Sequence, residues 1–228
     1  MPQLSRFLPD DSADRVLFIA SLFLQLLIAS VVVMALWRQQ WLVSFTGAII
    51  FALTFTPAII ERQLEVQLPV EFTLVTCVFL YASYGLGEYG QFYHRYWWWD
   101  LFLHSFSALV MGLIGFLVVY VFYMTHKVRL QPIYIAAVSF GFAMTIGALW
   151  EIFEFSMDWL FGFNMQKSGL VDTMTDLIVD MIGGLVAAAI GYSYVKGGDS
   201  LIADRVVKNF MRKNPQLFRR RRRREDPR

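Results

Sequence analysis

Long apolar segments constrain this chain more than any other feature. Six of them are long enough to cross a bilayer as an α-helix, which takes about 20 mainly apolar residues. The composition agrees, since 57% of the residues are hydrophobic and 17% are charged; a soluble domain has roughly 45–50% and about 25%. In lipid a segment must satisfy its own backbone polar groups, so the spans are expected to be helical. The predicted spans are about Val16–Trp37, Leu42–Ile60, Leu68–Leu86, Asp100–Met124, Pro132–Asp158 and Asp172–Val195.

The sequence therefore predicts an all-α polytopic membrane helix bundle of about six spans. Its three parts are a cytoplasmic lead (residues 1–15), the membrane domain (16–195) and a basic cytoplasmic tail (196–228). No small-residue cleavage site follows the first span, so we expect it to stay as an anchor. The last span carries Gly183, Ala187 and Gly191 at four-residue spacing, which predicts a face for close helix packing. The single cysteine, Cys77, excludes an intramolecular disulfide.

The Lys and Arg residues of the short connections indicate the orientation, because cytoplasmic loops carry an excess of them. With the N-terminus in the cytoplasm, the outer side carries only Arg38, Arg95 and Lys167. The inner side then holds Arg6, Arg15, Arg62, Lys127, Arg129 and the tail from Lys196 onward. We therefore expect both termini to be cytoplasmic.

The tail ends in six consecutive arginines, Arg219–Arg224. We expect this run, in the cytoplasmic tail after the sixth span, to fix the topology and to contact anionic membrane lipids. Each basic residue near the surface adds about 1 kcal/mol of attraction to such lipids. A nucleic-acid partner is not expected, because no aromatic platform or folded reader accompanies the run.

The last two spans carry acidic stripes inside apolar sequence. An ionised Asp at the centre of a membrane helix costs roughly 2.5–3.5 kcal/mol, so neither stripe should face lipid. In the predicted orientation both stripes lie near the outer leaflet, where Asp100 and, one turn deeper, His104 begin the fourth span. By helical spacing, the stripes are Glu151, Glu154 and Asp158 on one helix face and Asp172, Asp176 and Asp180 on another.

Residues before the fourth span complete this outer-leaflet group. The aromatic stretch there is suited to the headgroup level, and Arg95 within it is a candidate phosphate clamp. Tyr84 and Glu88, at the outer end of the third span, are further candidate headgroup contacts. The predicted site therefore opens to the outer face.

A divalent cation is the first of three explanations for the acids. Oxygen ligands with an assisting histidine suit Mg²⁺, Mn²⁺, Ca²⁺ or Zn²⁺, and the ion would cancel the repulsion between the carboxylates. Glu151, Asp176 and His104 are the candidate catalytic groups. The candidate metal ligands are Asp100, His104, Glu151, Glu154, Asp172, Asp176 and Asp180.

The other two explanations need no metal. Burial and neighbouring like charges both disfavour an ionised carboxylate, so some of the acids could be neutral donors or form a proton relay. Alternatively, Asp100, Asp158 and Asp172 could be helix caps in polar loops. Capping does not explain the acids that lie within the predicted helices, which are Glu151, Glu154, Asp176 and Asp180.

Three polar signatures carry a family resemblance. They are Asp100–Ser105 (DLFLHS), Glu151–Phe155 (EIFEF) and Met165–Asp180 (MQKSGLVDTMTDLIVD). With them the chain resembles the YjdF-type (DUF2238) family of bacterial inner-membrane proteins and, more distantly, VanZ-like proteins. The similarity covers roughly residues 70–195. It implies a multi-pass protein of the bacterial inner membrane, and the VanZ-like kinship implies an association with the cell envelope.

The leading functional hypothesis is a divalent-metal-dependent activity on an envelope lipid or lipid-linked substrate. The alternatives are an ion- or proton-coupled permease and a non-enzymatic structural partner of an envelope protein. A permease needs a polar path onward to the cytoplasm, for which the sequence offers only Glu71, Thr54, Thr56 and Gln25. No nucleophile signature or nucleotide loop is visible, so whether the protein is an enzyme stays open.

A reporter fused after Lys167 tests the orientation. We expect a reporter that works only outside the cytoplasm to be active there, because the positive-inside rule places this connection outside. A cytoplasm-dependent reporter at the same position is the control, and its activity would invert the whole arrangement.

Overall fold

The computed structural model describes residues 11–125, 128–198 and 200–218, and within them the regular structure is helical, with no strand. Three parts of the chain named in the predictions lie outside this range: the residues before Asp11, the residue Lys127 and the arginine run Arg219–Arg224. What was expected of them stays a prediction. The helices are α1 (Ser12–Trp37), α2 (Trp41–Leu53), α3 (Thr56–Leu64), α4 (Val70–Leu80), α5 (Phe92–Arg95), α6 (Trp99–Met124), α7 (Pro132–Phe161), α8 (Leu170–Val195), α9 (Leu201–Lys213) and α10 (Pro215–Phe218).

Six helical stretches are long and apolar enough to cross a membrane. They are α1, α2 with α3, α4 with the π-helical segment Tyr81–Tyr89 that continues it, α6, α7 and α8. The predicted all-α, six-span fold is confirmed, and the protein is a multi-pass membrane protein.

The chain divides into two compact units, Met1–Leu103 and His104–Arg228. The boundary falls inside α6. Each unit is described by itself below.

In the first unit, α1 packs against α2 and α4. Gln25 of α1 donates a hydrogen bond to the Thr54 hydroxyl (3.1 Å), which in turn donates to the carbonyl of Phe51 (2.6 Å). The second span is broken after α2, since Pro57 enters the first turn of α3 without an N–H to donate. Gln25 and Thr54, two of the residues considered for a permease path, thus satisfy each other across two helices.

The π-helical segment Tyr81–Tyr89 is the least regular part of the first unit. Tyr84 within it is 3% exposed, and its hydroxyl donates to the carbonyl of Val43 in α2 at 2.8 Å. A Cβ at Gly47 would overlap that hydroxyl, so the glycine makes room for the ring. The segment therefore joins the third span to the second.

In the second unit, α8 packs closely against α6 through its small residues. A Cβ on Gly183 would lie 2.5 Å from the carbonyl oxygen of Ser105, and one on Gly112 would lie 2.5 Å from the Cβ of Ala187. A Cβ on Gly191 would meet the ring of Phe116 at 2.6 Å. The predicted close-packing face of the last span is confirmed.

Enlarging this face should destabilise the second unit. We expect Ala187→Leu to lower the free energy of unfolding by about 1–3 kcal/mol, because the added atoms have no space against Gly112. Val186→Leu is the matched control, since Val186 is 47% exposed on the same helix. Thermal unfolding in detergent measures both, and equal stability of the two variants would contradict the packing described.

Candidate functional site

Three helices of the second unit bring a buried histidine and two buried acids together. His104 of α6, Glu151 of α7 and Asp176 of α8 each offer one ligand atom, and these atoms lie within 4.8 Å of one another. The residues are 7%, 4% and 1% exposed. By helix rise they lie about 8–15 Å inside the ends of their helices. The acidic stripes therefore meet at the predicted histidine, and not at lipid.

A third acid, Asp180, lies on the other side of the imidazole. His104 Nδ1 is 3.4 Å from Asp180 Oδ2, and His104 Nε2 is 3.8 Å from Glu151 Oε1. Asp180 is fully buried. Gly147, one turn before Glu151, makes this possible, because a Cβ there would overlap the Asp180 carboxylate. The imidazole thus lies between two carboxylates from different helices.

The acids of this cluster outnumber its one basic group. If Glu151, Asp176 and Asp180 are all ionised, a protonated His104 leaves a net charge of −2. Within the described residues, the two buried carboxylate oxygens of Glu151 and the buried Oδ1 of Asp180 make no hydrogen bond of full geometry. The Thr173 side chain is nevertheless close enough to Glu151 to act as a weak hydrogen-bonding neighbour, and Asp172 is a further charged neighbour. Buried polar atoms in native proteins are almost always paired, so the acceptor capacity of these oxygens is what a functional interpretation of the cluster has to explain.

Two of the remaining predicted acids of the second unit, Glu154 and Asp158, have contacts outside the cluster. Glu154 accepts a hydrogen bond from Trp150 Nε1 on its own helix at 3.0 Å. Asp158 accepts from the backbone N–H groups of Met165 and Gln166, at 2.7 and 2.8 Å, and so holds the α7–α8 connection. Asp172 is half-buried in the first turn of α8.

Four predicted residues belong to the first unit. Asp100 is in the first turn of α6, one helical turn before His104. Tyr84 is buried with its hydroxyl bonded to Val43, which gives it a packing role. Glu88 and Arg95 are exposed, in the π-helical segment and in α5.

Two contributors to the cluster were not predicted. Gly147 shares the helix face of Glu151 at four-residue spacing, and that spacing was the available signal. The second is Thr173, whose hydroxyl accepts a hydrogen bond from Gln166 Nε2 at 2.6 Å. Because Thr173 also neighbours Glu151, the α7–α8 connection is tied to the buried site.

Comparison with known proteins identifies the family. A family model described as "Predicted membrane protein (DUF2238)" matches residues 19–197, more than three quarters of the chain. The chain belongs to the DUF2238 family. This DUF2238 chain is also 34% identical over 145 residues to a protein of Thermotoga maritima described as an uncharacterized protein, covering 60% of this chain and 70% of the relative. No solved structure matches it. The more distant VanZ-like resemblance stays a prediction.

Two glycines of α7 provide a test of the cluster in this DUF2238 protein. Gly147→Ala should lower the free energy of unfolding by about 1–3 kcal/mol, because the new Cβ displaces the Asp180 carboxylate. Gly141→Ala has no neighbour within 4 Å of its Cβ, so helix propensity should make it stabilising by up to about 1 kcal/mol. Thermal unfolding of both variants compares them. The same sign for both would show that Asp180 does not lie against Gly147.

Proposed function

We propose that this protein binds a divalent cation through His104, Glu151 and Asp176. In this proposal the protein uses the cation for a metal-dependent activity on an envelope lipid or lipid-linked substrate in the bacterial inner membrane. The observation that carries the proposal is the convergence of three buried ligating groups from three helices, each with one ligand atom within 4.8 Å of the others.

The donor set fits such an ion. Ligands that each lie about 2.0–2.2 Å from one ion are at most about 4.4 Å apart. The 3.8 Å between His104 Nε2 and Glu151 Oε1 is within that limit, and the 4.8 Å that bounds the whole group exceeds it only slightly. An imidazole with carboxylates favours Zn²⁺ or Mn²⁺ over Mg²⁺ or Ca²⁺, which prefer all-oxygen ligands.

A divalent cation also balances the charge. With His104 neutral, as a ligand must be, Glu151, Asp176 and Asp180 carry −3, and the ion reduces this to −1. The repulsion between the acids is then replaced by attraction to a shared centre. With all three acids ionised, an imidazolium cancels one negative charge and a divalent cation cancels two, which favours the cation; the metal analysis below separates this from protonated acids.

The residues of the cluster have different roles in this proposal. Asp180 accepts from His104 Nδ1 and so orients the ring with Nε2 toward Glu151, as carboxylates do for many metal-binding histidines. His104, Glu151 and Asp176 hold the ion and are the candidate catalytic groups. A bound divalent cation would polarise a phosphoryl or acyl oxygen, or acidify a water molecule.

The position of the site supports a substrate that comes from the membrane. The site lies about 8–15 Å inside the helix ends, which is within the thickness of a span. On α7 the residues between Glu151 and Glu154 lie away from the acidic face and are apolar and exposed, with Ile152 60% and Phe153 44% exposed. One helix therefore separates the cluster from lipid.

A proton relay through the same groups is less well supported. His104 between two carboxylates would suit a relay, but a relay needs a continuation. Toward the other membrane face, α6 after His104, α7 before Glu151 and α8 after Asp180 contain no charged residue. The buried Ser139 in that region already donates to the carbonyl of Gly112 at 2.7 Å.

Metal analysis of the detergent-purified protein tests the proposed ligand set. We expect about one equivalent of Zn²⁺ or Mn²⁺ in the wild type. Glu151→Gln and His104→Gln should each reduce the affinity at least tenfold, since each removes a ligand. Glu65→Gln, at an exposed position after α3, is the control and should retain the metal. The same near-zero metal content in all four proteins would favour protonated acids instead.

An activity measurement separates a structural ion from a catalytic one. Wild-type protein and Glu151→Gln are each incubated with total envelope lipid, with and without chelator, and the lipids are followed by mass spectrometry. A lipid change that needs both the metal and Glu151 is the expected result. Bound metal without any such change would leave the cation site standing and refute the enzymatic part of the proposal.

A further inference from the structure

The end of the second unit opposite His104, Glu151 and Asp176 has a surface helix, α9, whose apolar face is covered by protein. Five residues connect α8, which ends at Val195, to α9, which begins at Leu201; they span at most about 18 Å. α9 packs against α8, and Ala203, Val207 and Phe210 on one of its faces are buried. The helix therefore lies near the end of a membrane span, with its apolar face against protein and not against lipid.

The other face of α9 is basic. Arg205, Lys208 and Arg212 are exposed at i, i+3 and i+7 spacing, which places them along one stripe. Lys208 pairs with Asp204 at 2.7 Å. Counting Lys213 as well, α9 carries four basic residues and one acid, a net charge of +3. The exposed stripe is therefore positive at neutral pH.

A cavity lies at the connection between α6 and α7. Its volume is about 550 Å³. Arg129 and Gln131 provide a cation and an amide, and the other walls are mainly apolar. The lining residues are Tyr123, Met124, Val128, Arg129, Leu130 and Gln131. The cavity thus combines one positive group with apolar walls at the ends of two membrane spans.

An aromatic ladder connects the cavity to α9. The rings of Tyr123 and Tyr120 are 6.2 Å apart, and those of Tyr120 and Tyr194 are 5.5 Å apart. Asp204 and Lys208 of α9 are in turn the charged neighbours of Tyr194. The cavity and the basic stripe therefore lie at the same end of the second unit, here called the basic end and defined by Arg129, Arg205, Lys208 and Arg212.

We propose that the basic end binds the phosphate groups of anionic phospholipids, with one headgroup seated in the cavity at Arg129. A lipid fits better than a soluble anion, because the cavity lies where two membrane spans end and its apolar walls suit the glycerol and upper acyl region. Since the apolar face of α9 is covered, the attraction along the stripe is electrostatic and weakens with salt. Each cation near an anionic surface contributes roughly a fivefold change in affinity. This proposal does not depend on the metal site.

Native mass spectrometry of the full-length protein in neutral detergent tests it. Phosphatidylglycerol or phosphatidylcholine is titrated in, and the apparent Kd of the first bound lipid is measured. We expect the wild type to prefer phosphatidylglycerol on the order of tenfold. Arg129→Gln should reduce that preference roughly fivefold, and Arg205→Gln/Lys208→Gln/Arg212→Gln should reduce binding of the later lipids by at least tenfold.

Two controls keep the test specific. Arg38→Gln removes an exposed arginine from the connection between α1 and α2 and should leave the preference unchanged. Arg205→Lys/Arg212→Lys preserves the charge and should keep wild-type binding. Unfolding temperatures show that every variant is folded.

Several results would overturn the proposal. Equal affinity for the two lipids in the wild type would do so, as would an unchanged preference in both the Arg129 variant and the triple variant. Inorganic phosphate or a short RNA that displaces phosphatidylglycerol at lower concentration than the lipid itself would instead assign the surface to a soluble anion or to a nucleic acid.

Discussion

The cost of holding carboxylates in an apolar helix bundle determines the arrangement of the second unit. An ionised acid inside a membrane helix is stable only beside a positive group or a donor. α7 and α8 therefore turn their acidic faces toward each other and toward His104. This arrangement also brings α7 and α8 close together, because the Asp180 carboxylate lies directly against Gly147, where a side chain would overlap it. In this unit the close packing of the helices and the contacts of the buried acids therefore depend on the same residues.

The small residues of α8 extend the same contact away from the cluster. In lipid there is little hydrophobic force between helices, so close van der Waals contact and polar contacts hold them together. Gly183 and Ala187 bring α8 against α6 within a few turns of Asp180. The glycine and alanine interface keeps the backbones close, and the buried Ser139 beyond the cluster donates its hydrogen bond to the Gly112 carbonyl of α6, so this polar group also serves helix packing.

Hydropathy and the cost of buried charge were enough to predict the spans and the meeting of the acids with His104. They could not predict which of the acids contact His104 and which have other partners. Glu154 and Asp158 share a helix face with Glu151, yet one bonds Trp150 and the other holds a connection. These choices depend on side-chain rotamers and on the loop conformation, which helical spacing does not encode. The π-helical segment was not predicted either: hydropathy ended the third span at Leu86, and the helix in fact continues to Tyr89, because backbone hydrogen-bond register is not encoded in hydropathy.

The contact between Tyr84 and α2 combines a hydrogen bond with a close fit of the ring against the helix backbone. Val43 lies inside α2, where its carbonyl already faces the amide of Gly47, four residues on. The phenol hydroxyl is therefore a second donor to an oxygen that is satisfied without it. The ring also lies so close over Gly47 that a Cβ there would overlap its hydroxyl, so the attachment depends on shape as well as on the bond. Removing the hydroxyl would leave the Val43 carbonyl with its helical partner, whereas a side chain in place of Gly47 would have to displace the Tyr84 ring and Val32 of α1 together.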